Sequence, residues 1–145
     1  MFYEDFFVGQ EFNTNTRTIT GTDIDLFASL TWAVNPLFLS DDFARQRGFS
    51  NRIAPGALVI SYAIGLLYQL GLFENLTALA SIDRLSFKSP TSPSDVIKVK
   101  ARVVDKKETK NPERGVVRLE IVCQNLTKGS VAFDSEMTFV FLRKV

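Results

Sequence analysis

Histidine is absent from these 145 residues. That removes the commonest general acid-base side chain and the commonest transition-metal ligand in one stroke. Cysteine occurs once, at Cys123, so no disulfide can close within the chain, and a single thiol without imidazole argues against a zinc site. Neither sign of charge is in excess: 17 Lys and Arg stand against 16 Asp and Glu, for a net charge of +1. Such a chain has no field with which to gather nucleic acid or an anionic membrane surface, and neither is expected as a partner. Also missing is an apolar stretch of roughly 20 residues, the length a membrane-spanning helix needs. The opening Met1-Phe2-Tyr3-Glu4-Asp5 lacks the basic region and cleavage site of a signal peptide, and a cytoplasmic location is the expectation. No repeat, low-complexity tract or linker divides the chain, so residues 1–145 are read as a single domain.

Apolar residues at 46% and charged residues at 23% suit a globular core that needs no metal or disulfide to hold it. The β-branched and polar residues between 6 and 20 predict a short or edge strand. Thr22 and Asp25 form a capping-box-like start, and Ile24, Leu26-Phe27 and Leu30 recur at helical spacing, predicting a helix over 22–31 that ends near Trp32. Asn35-Pro36 interrupts it, Ser40-Asp41-Asp42 opens a short helix over 41–47, and Gly48 closes that helix.

From Ala57 to Gly71 the chain is apolar with almost no polar face. A helix of that kind must be buried on all sides, and at about 15 residues it is too short to cross a bilayer, so it is expected to be a core helix wrapped by a sheet, with Gly71 at its C-terminal cap. Strands follow over 78–88, 96–106, 116–125 and 131–143, the last three as an antiparallel meander. In the strand from 96, Ile97, Val99, Ala101 and Val103 share one face while Lys98, Lys100 and Arg102 share the other, as in a sheet covered on one side only. The expectation is an α+β hot-dog fold: a long central apolar helix wrapped by a curved, mostly antiparallel sheet, with a free sheet edge on which a second copy pairs.

The stretch from 20 to 61 resembles the MaoC-like dehydratases and (R)-specific enoyl-CoA hydratases. Their Asp-x-Asn-Pro-x-His motif corresponds here to Ala33-Val34-Asn35-Pro36-Leu37-Phe38, and their Arg-Ile-x-x-Gly entry to the central helix reads Arg52-Ile53-Ala54-Pro55-Gly56. Leu85-Ser86-Phe87-Lys88-Ser89-Pro90 followed by Asp95 is similar to the strand after that helix. The resemblance implies an acyl thioester, on coenzyme A or an acyl carrier, as ligand and no cofactor beyond it. It also implies that Ala33 and Phe38 stand where the family keeps the Asp and His that handle water and its protons, with Trp32 in place of a small residue before them.

Hydration of a 2-enoyl thioester needs a base for water, a proton for the α-carbon, and donors for the charge that develops on the thioester oxygen. Only the third role has an evident bearer, the N-terminus of the central helix at Gly56, although Pro55-Gly56 is equally a common helix-start sequence. The expected substrate-binding residues are Asn35, Gly56, Ser61, Trp32 and Phe38, with no catalytic residue identified and no metal ligand. Each has a bland alternative. Asn35 suits a backbone-bonding loop residue, Ser61 a hydroxyl bonded back to its own helix, and Trp32 and Phe38 side chains that fill the pocket. Asp23, Asp25, Asp41 and Asp42 read better as helix-start acids than as replacement bases, and Tyr62 as a group that orients water or substrate. Cys123 is expected to be a buried, inert thiol. Lys98, Lys100, Arg102, Lys106, Lys107 and Lys110 would meet coenzyme A phosphates only if this strand face were more than a solvated surface.

Two functions compete. One is a divergent hydratase or dehydratase that draws on a carboxylate outside the motif. The other is a partner without catalysis, either a subunit of a heteromeric hydratase beside a dyad-bearing MaoC-like chain or an acyl-CoA-binding domain. A homodimer or higher homo-oligomer is expected in either case.

Overall fold

The computed structural model describes all residues from Met1 to Val145. A short 3-10 turn at Tyr3–Asp5 leads into β1 (Glu11–Thr18), α1 (Gly21–Thr31), α2 (Pro36–Leu39), α3 (Asp41–Gln46) and α4 (Gly56–Tyr68). Then come β2 (Leu76–Phe87), β3 (Val96–Glu108), β4 (Arg114–Asn125) and β5 (Ser130–Leu142). The five strands form one sheet in the order β1-β3-β4-β5-β2, with every neighbouring pair antiparallel. The meander β3-β4-β5 is as expected, and β1 and β2 are the two edges.

The alternation in β3 sets the inside of the sheet: Ile97, Val99, Ala101 and Val103 are fully buried, as are Val117, Leu119 and Ile121 on β4. These residues face α4, which supplies Leu58, Val59, Ala63, Leu66 and Leu67 to the same core. The aromatic end of the core joins Phe6, Phe73, Phe139 and Phe141. Burying such a side chain contributes roughly 1.5–3 kcal/mol each, so this continuous cluster is the main stabilising term.

The expectation that α4 is buried all round needs correction. Ala57, Ser61 and Tyr68 are exposed and Ile60 and Ile64 only half-buried, a stripe at helical spacing that β1 and β3 do not cover. A single curved sheet reaches only part of the way round a helix. The helix also stops at Tyr68, with Gly71 past its end at φ +72°.

At α1 the capping box is Thr20 with Asp23, two residues earlier than Thr22 and Asp25: Thr20 Oγ1 accepts from the Asp23 amide at 3.1 Å, and Asp23 Oδ2 accepts from the Thr20 amide at 2.8 Å. Both pairs fit the three-residue spacing of the motif, so spacing alone could not choose between them. The turn α2, which the proline at its first position favours, was not expected as a helix.

Candidate functional site

A cavity of about 420 Å³ opens where the α3–α4 loop meets the end of β2 and the loop beyond it. Phe38 closes it from α2, and Phe49, Ile53 and Ala54 line it from the loop before α4. The first turns of α4 contribute Gly56 and Val59, and Ala132 comes from β5. Phe87 ends β2, and Lys88, Ser89, Pro90 and Thr91 continue around the wall.

Backbone pairing holds these segments together. The Ala54 amide donates to Thr91 O at 2.7 Å, Ile53 to Leu37 O at 3.2 Å, and Lys88 to Ala132 O at 2.9 Å. Arg52 ties the overhanging helices to the same wall: its guanidinium reaches Asp25 at 2.7 Å and Phe38 O at 3.4 Å, while its amide donates to Asp41 Oδ1 at 2.9 Å. This clamp role is not legible in the sequence, because it joins residues up to 27 positions apart.

Gly56 begins α4 behind Pro55, which supplies no side-chain cap. The amides of Gly56 and Ala57 have no acceptor within the chain, as the first turn of a helix dictates. The Phe87 ring lies over Gly56 so closely that a Cβ there would sit 2.6 Å from Phe87 Cζ. Glycine at this position therefore lets an aromatic ring and the helix terminus share the cavity floor.

Of the expected binding residues, the cavity holds Phe38 and Gly56 and not Trp32, Asn35 or Ser61. Trp32 fills no pocket: it caps α1 in the left-handed region at φ 62° with its side chain 88% exposed, and Leu26, Leu30 and Val34 are exposed around the same corner. The helix ends there with its apolar face turned outward, which a spacing argument for core residues does not reveal. Asn35 caps α2, its Oδ1 accepting from the Leu37 amide at 2.9 Å, and Ser61 donates back to Ala57 O at 2.8 Å, so both have the local bonds their residue types favour. Ala33 is half-buried and does not border the cavity.

No carboxylate borders the cavity either. Asp25 and Asp41 are engaged with Arg52, and Asp42 with Arg45 at 2.9 Å. Asp23 belongs to a separate cluster in which the Tyr62 hydroxyl donates to its Oδ1 at 2.9 Å and Arg17 lies 3.8 Å over the Tyr62 ring. Burial works to raise the Asp23 carboxyl, but hydrogen bonds from the Thr20 backbone and the Tyr62 hydroxyl, with Arg17 nearby, hold it below the usual carboxylate range. Burial first, and then Asp23, push the Tyr62 phenol up.

Cys123 is fully buried on β4, and burial pushes its thiol up to about 12, so it is inert at neutral pH. On the outer sheet face, Lys100 pairs with Glu11, Arg102 with Glu120 and Lys107 with Asp105, and Lys106 donates to the carbonyls of Tyr3 and Phe6. Four of the six cations named for phosphate contact are thus already engaged within the chain.

Residues 5–124 match a family described as the MaoC-like domain. The chain is 30% identical over 126 residues to the 3-hydroxybutyryl-CoA dehydratase of Methylorubrum extorquens, with 85% of this chain and 74% of that protein covered. It is 28% identical to the (R)-specific enoyl-CoA hydratase of Rhodospirillum rubrum, over 94% of this chain and 89% of that one. Among solved structures, it superposes with a TM-score of 0.91 and 28% identity on a monoamine oxidase regulatory protein from an Archaeoglobus species, covering 100% of this chain and 96% of that one. On the MaoC-like dehydratase of Rhodospirillum rubrum the TM-score is 0.88 at 26% identity, with 100% and 99% covered. The architecture is the hot-dog fold that the apolar helix and meander imply.

Proposed function

The chain belongs to the MaoC-like domain family, and from that premise we propose that it holds an acyl thioester in the cavity beside Gly56, as a hydratase/dehydratase-type protein without the usual acid-base pair. The observation that carries this reading is the lining itself. It joins an apolar wall of three phenylalanines to the uncapped start of α4, and includes neither a carboxylate nor an imidazole. The amides of the first turn and the positive end of the helix suit a thioester oxygen. Phe38, placed where the resemblance puts the family's His, offers a surface for an acyl chain and no proton.

Each missing general acid or base forgoes roughly 10²- to 10⁴-fold in rate, so the chain alone is a poor hydratase. No cofactor is required by this reading, since hydration is proton transfer and addition of water. A second reading, that the chain serves as the non-catalytic subunit beside a dyad-bearing MaoC-like chain, draws support from the open stripe on α4 and the open edge of β2. The dehydratase named among its relatives acts on 3-hydroxybutyryl-CoA by its printed name, and a short acyl group on coenzyme A is the first ligand to try.

The test is the hydration rate of the purified protein on 2-enoyl-CoA thioesters beside that of an Ala33→Asp/Phe38→His double variant of matched stability. The expected result is a silent natural protein and a double variant that gains turnover. Turnover by the natural protein would refute the acid-base deficiency and direct mutagenesis to Asp23, Asp25, Asp41 and Asp42.

A further inference from the structure

Two buried side-chain hydroxyls have no hydrogen-bond partner within the chain, those of Thr91 and Thr138. Buried polar groups are nearly always paired, so each orphan asks for a physical reason. Thr138 sits on β5 beside a hollow of about 40 Å³, room for a water molecule at most. Thr91 is different: it is 3% exposed and lines the 420 Å³ cavity at whose floor α4 begins.

The loop around Thr91 is otherwise fully engaged. Thr91 O accepts from the Ala54 amide at 2.7 Å. On one side Lys128 Nζ donates to Pro90 O at 2.8 Å, and on the other the Ser92 amide donates to Asp95 Oδ2 at 2.9 Å. Asp95, itself buried, also accepts from Asn125 Nδ2 at 2.8 Å, and Lys128 reaches Ser92 Oγ at 3.0 Å. The other hydroxyl in the lining, that of Ser89, donates to Val131 O at 2.8 Å and lies 3.0 Å from Ser130 Oγ. A loop that satisfies its neighbours on both sides and leaves one hydroxyl free at a cavity wall, within two residues in space of the uncapped Gly56 and Ala57 amides through the Ala54–Thr91 pairing, is organised around an acceptor supplied from outside.

We propose that the Thr91 hydroxyl is a ligand-binding donor that shares the thioester carbonyl oxygen with the first-turn amides of α4. This rests on the acyl-thioester reading above and deepens it by naming a side chain that recognises the carbonyl. Thr91 touches ligand and exchanges no proton. It also adds a donor fixed by the loop rather than by the helix, so that the carbonyl is gripped from two elements.

The experiment is calorimetric titration of the full chain with butanoyl-CoA, whose acyl group carries no oxygen besides the thioester carbonyl, and with free coenzyme A. Wild type, Thr91→Val and Thr91→Ser are compared, with the melting temperature of each. Valine keeps the shape and removes the hydroxyl. The expected result is a roughly tenfold loss of butanoyl-CoA affinity in Thr91→Val, the loss of one hydrogen bond, with the melting temperature unchanged or raised and Thr91→Ser close to wild type. Free coenzyme A, lacking the carbonyl, should not distinguish the variants. If wild type binds butanoyl-CoA and Thr91→Val binds it equally well, or loses both ligands alike with a lowered melting temperature, the hydroxyl is structural and the proposal falls while the thioester reading stands. If wild type binds no acyl-CoA, the thioester reading falls and takes this proposal with it.

Discussion

Asp23 shows how a residue singled out as a possible catalyst is spent on architecture. It accepts from the Thr20 amide and the Tyr62 hydroxyl, and so joins the start of α1 to the middle of α4. Because the folded carboxyl lies below its ordinary value of about 4, the unfolded chain binds its proton first. The stabilisation is therefore present above about pH 4 and is lost as pH falls through the depressed folded value. We expect Asp23→Asn to be less stable than the natural protein at pH 7 and to show a flatter loss of stability below about pH 4, as urea midpoints across pH would show. A steeper acid limb in the variant would mean that another carboxyl carries the dependence. Removing Asp23 should leave acyl-thioester binding unchanged, since it does not border the cavity.

Among the elements, the short N-terminal turn is held more firmly than its length suggests. The ring of Tyr3 packs directly on the backbone of Gly115 at the start of β4, where a Cβ would meet the ring. Lys106 Nζ lies 4.1 Å over the same ring and donates to the carbonyls of Tyr3 and Phe6, so the ring has nowhere to retreat. Gly115→Ala is expected to destabilise the fold by about 1–3 kcal/mol, the usual range for overpacking a filled site, measured by chemical denaturation. A neutral result would show that the turn detaches freely from β4. The β2–β3 loop is anchored in a comparable way, by buried Asp95 and its contacts with Ser92, Asn125 and Lys128. That rigidity is what allows a loop to carry a cavity wall.

At the scale of the whole molecule, two open surfaces face the same need. The stripe Ala57, Ile60, Ser61, Ile64 and Tyr68 leaves an apolar helix uncovered, and β2 is a 12-residue edge with Leu79, Ile82, Leu85 and Phe87 exposed. An edge with apolar side chains invites a further strand, and a symmetric copy supplies one. The expected particle is a multiple of the 16.3 kDa chain, and Leu79→Lys/Ile82→Lys should shift it to the monomer in sedimentation velocity. A natural protein that sediments as a monomer, with the same edge exposed, would leave a different chain as the partner to seek. Arg84 at φ 52° and the register shift between Asp83 and Ser86 mark where this edge bends, next to the strand end that carries Phe87 into the cavity.

The local chemistry of this protein is set by its sequence. Alternation in β3, the apolar run of α4, the buried thiol of Cys123, the cap at Asn35 and the back-bonded hydroxyl of Ser61 all follow from residue type and spacing, because each depends on neighbours within a few positions or on one periodic face. The lack of histidine is equally final, as no fold can restore a side chain the chain does not contain. The tertiary structure decided what stands together. Phe49, Thr91 and Ala132 meet Gly56 at one cavity although nothing in their own segments marks them, since long-range packing leaves no periodic trace. It also turned Trp32 outward, because the chain leaves α1 through a left-handed residue whose side chain no other element reaches. And it left α4 open along one stripe, because a single sheet of five strands covers only the sides of the helix that its curvature reaches.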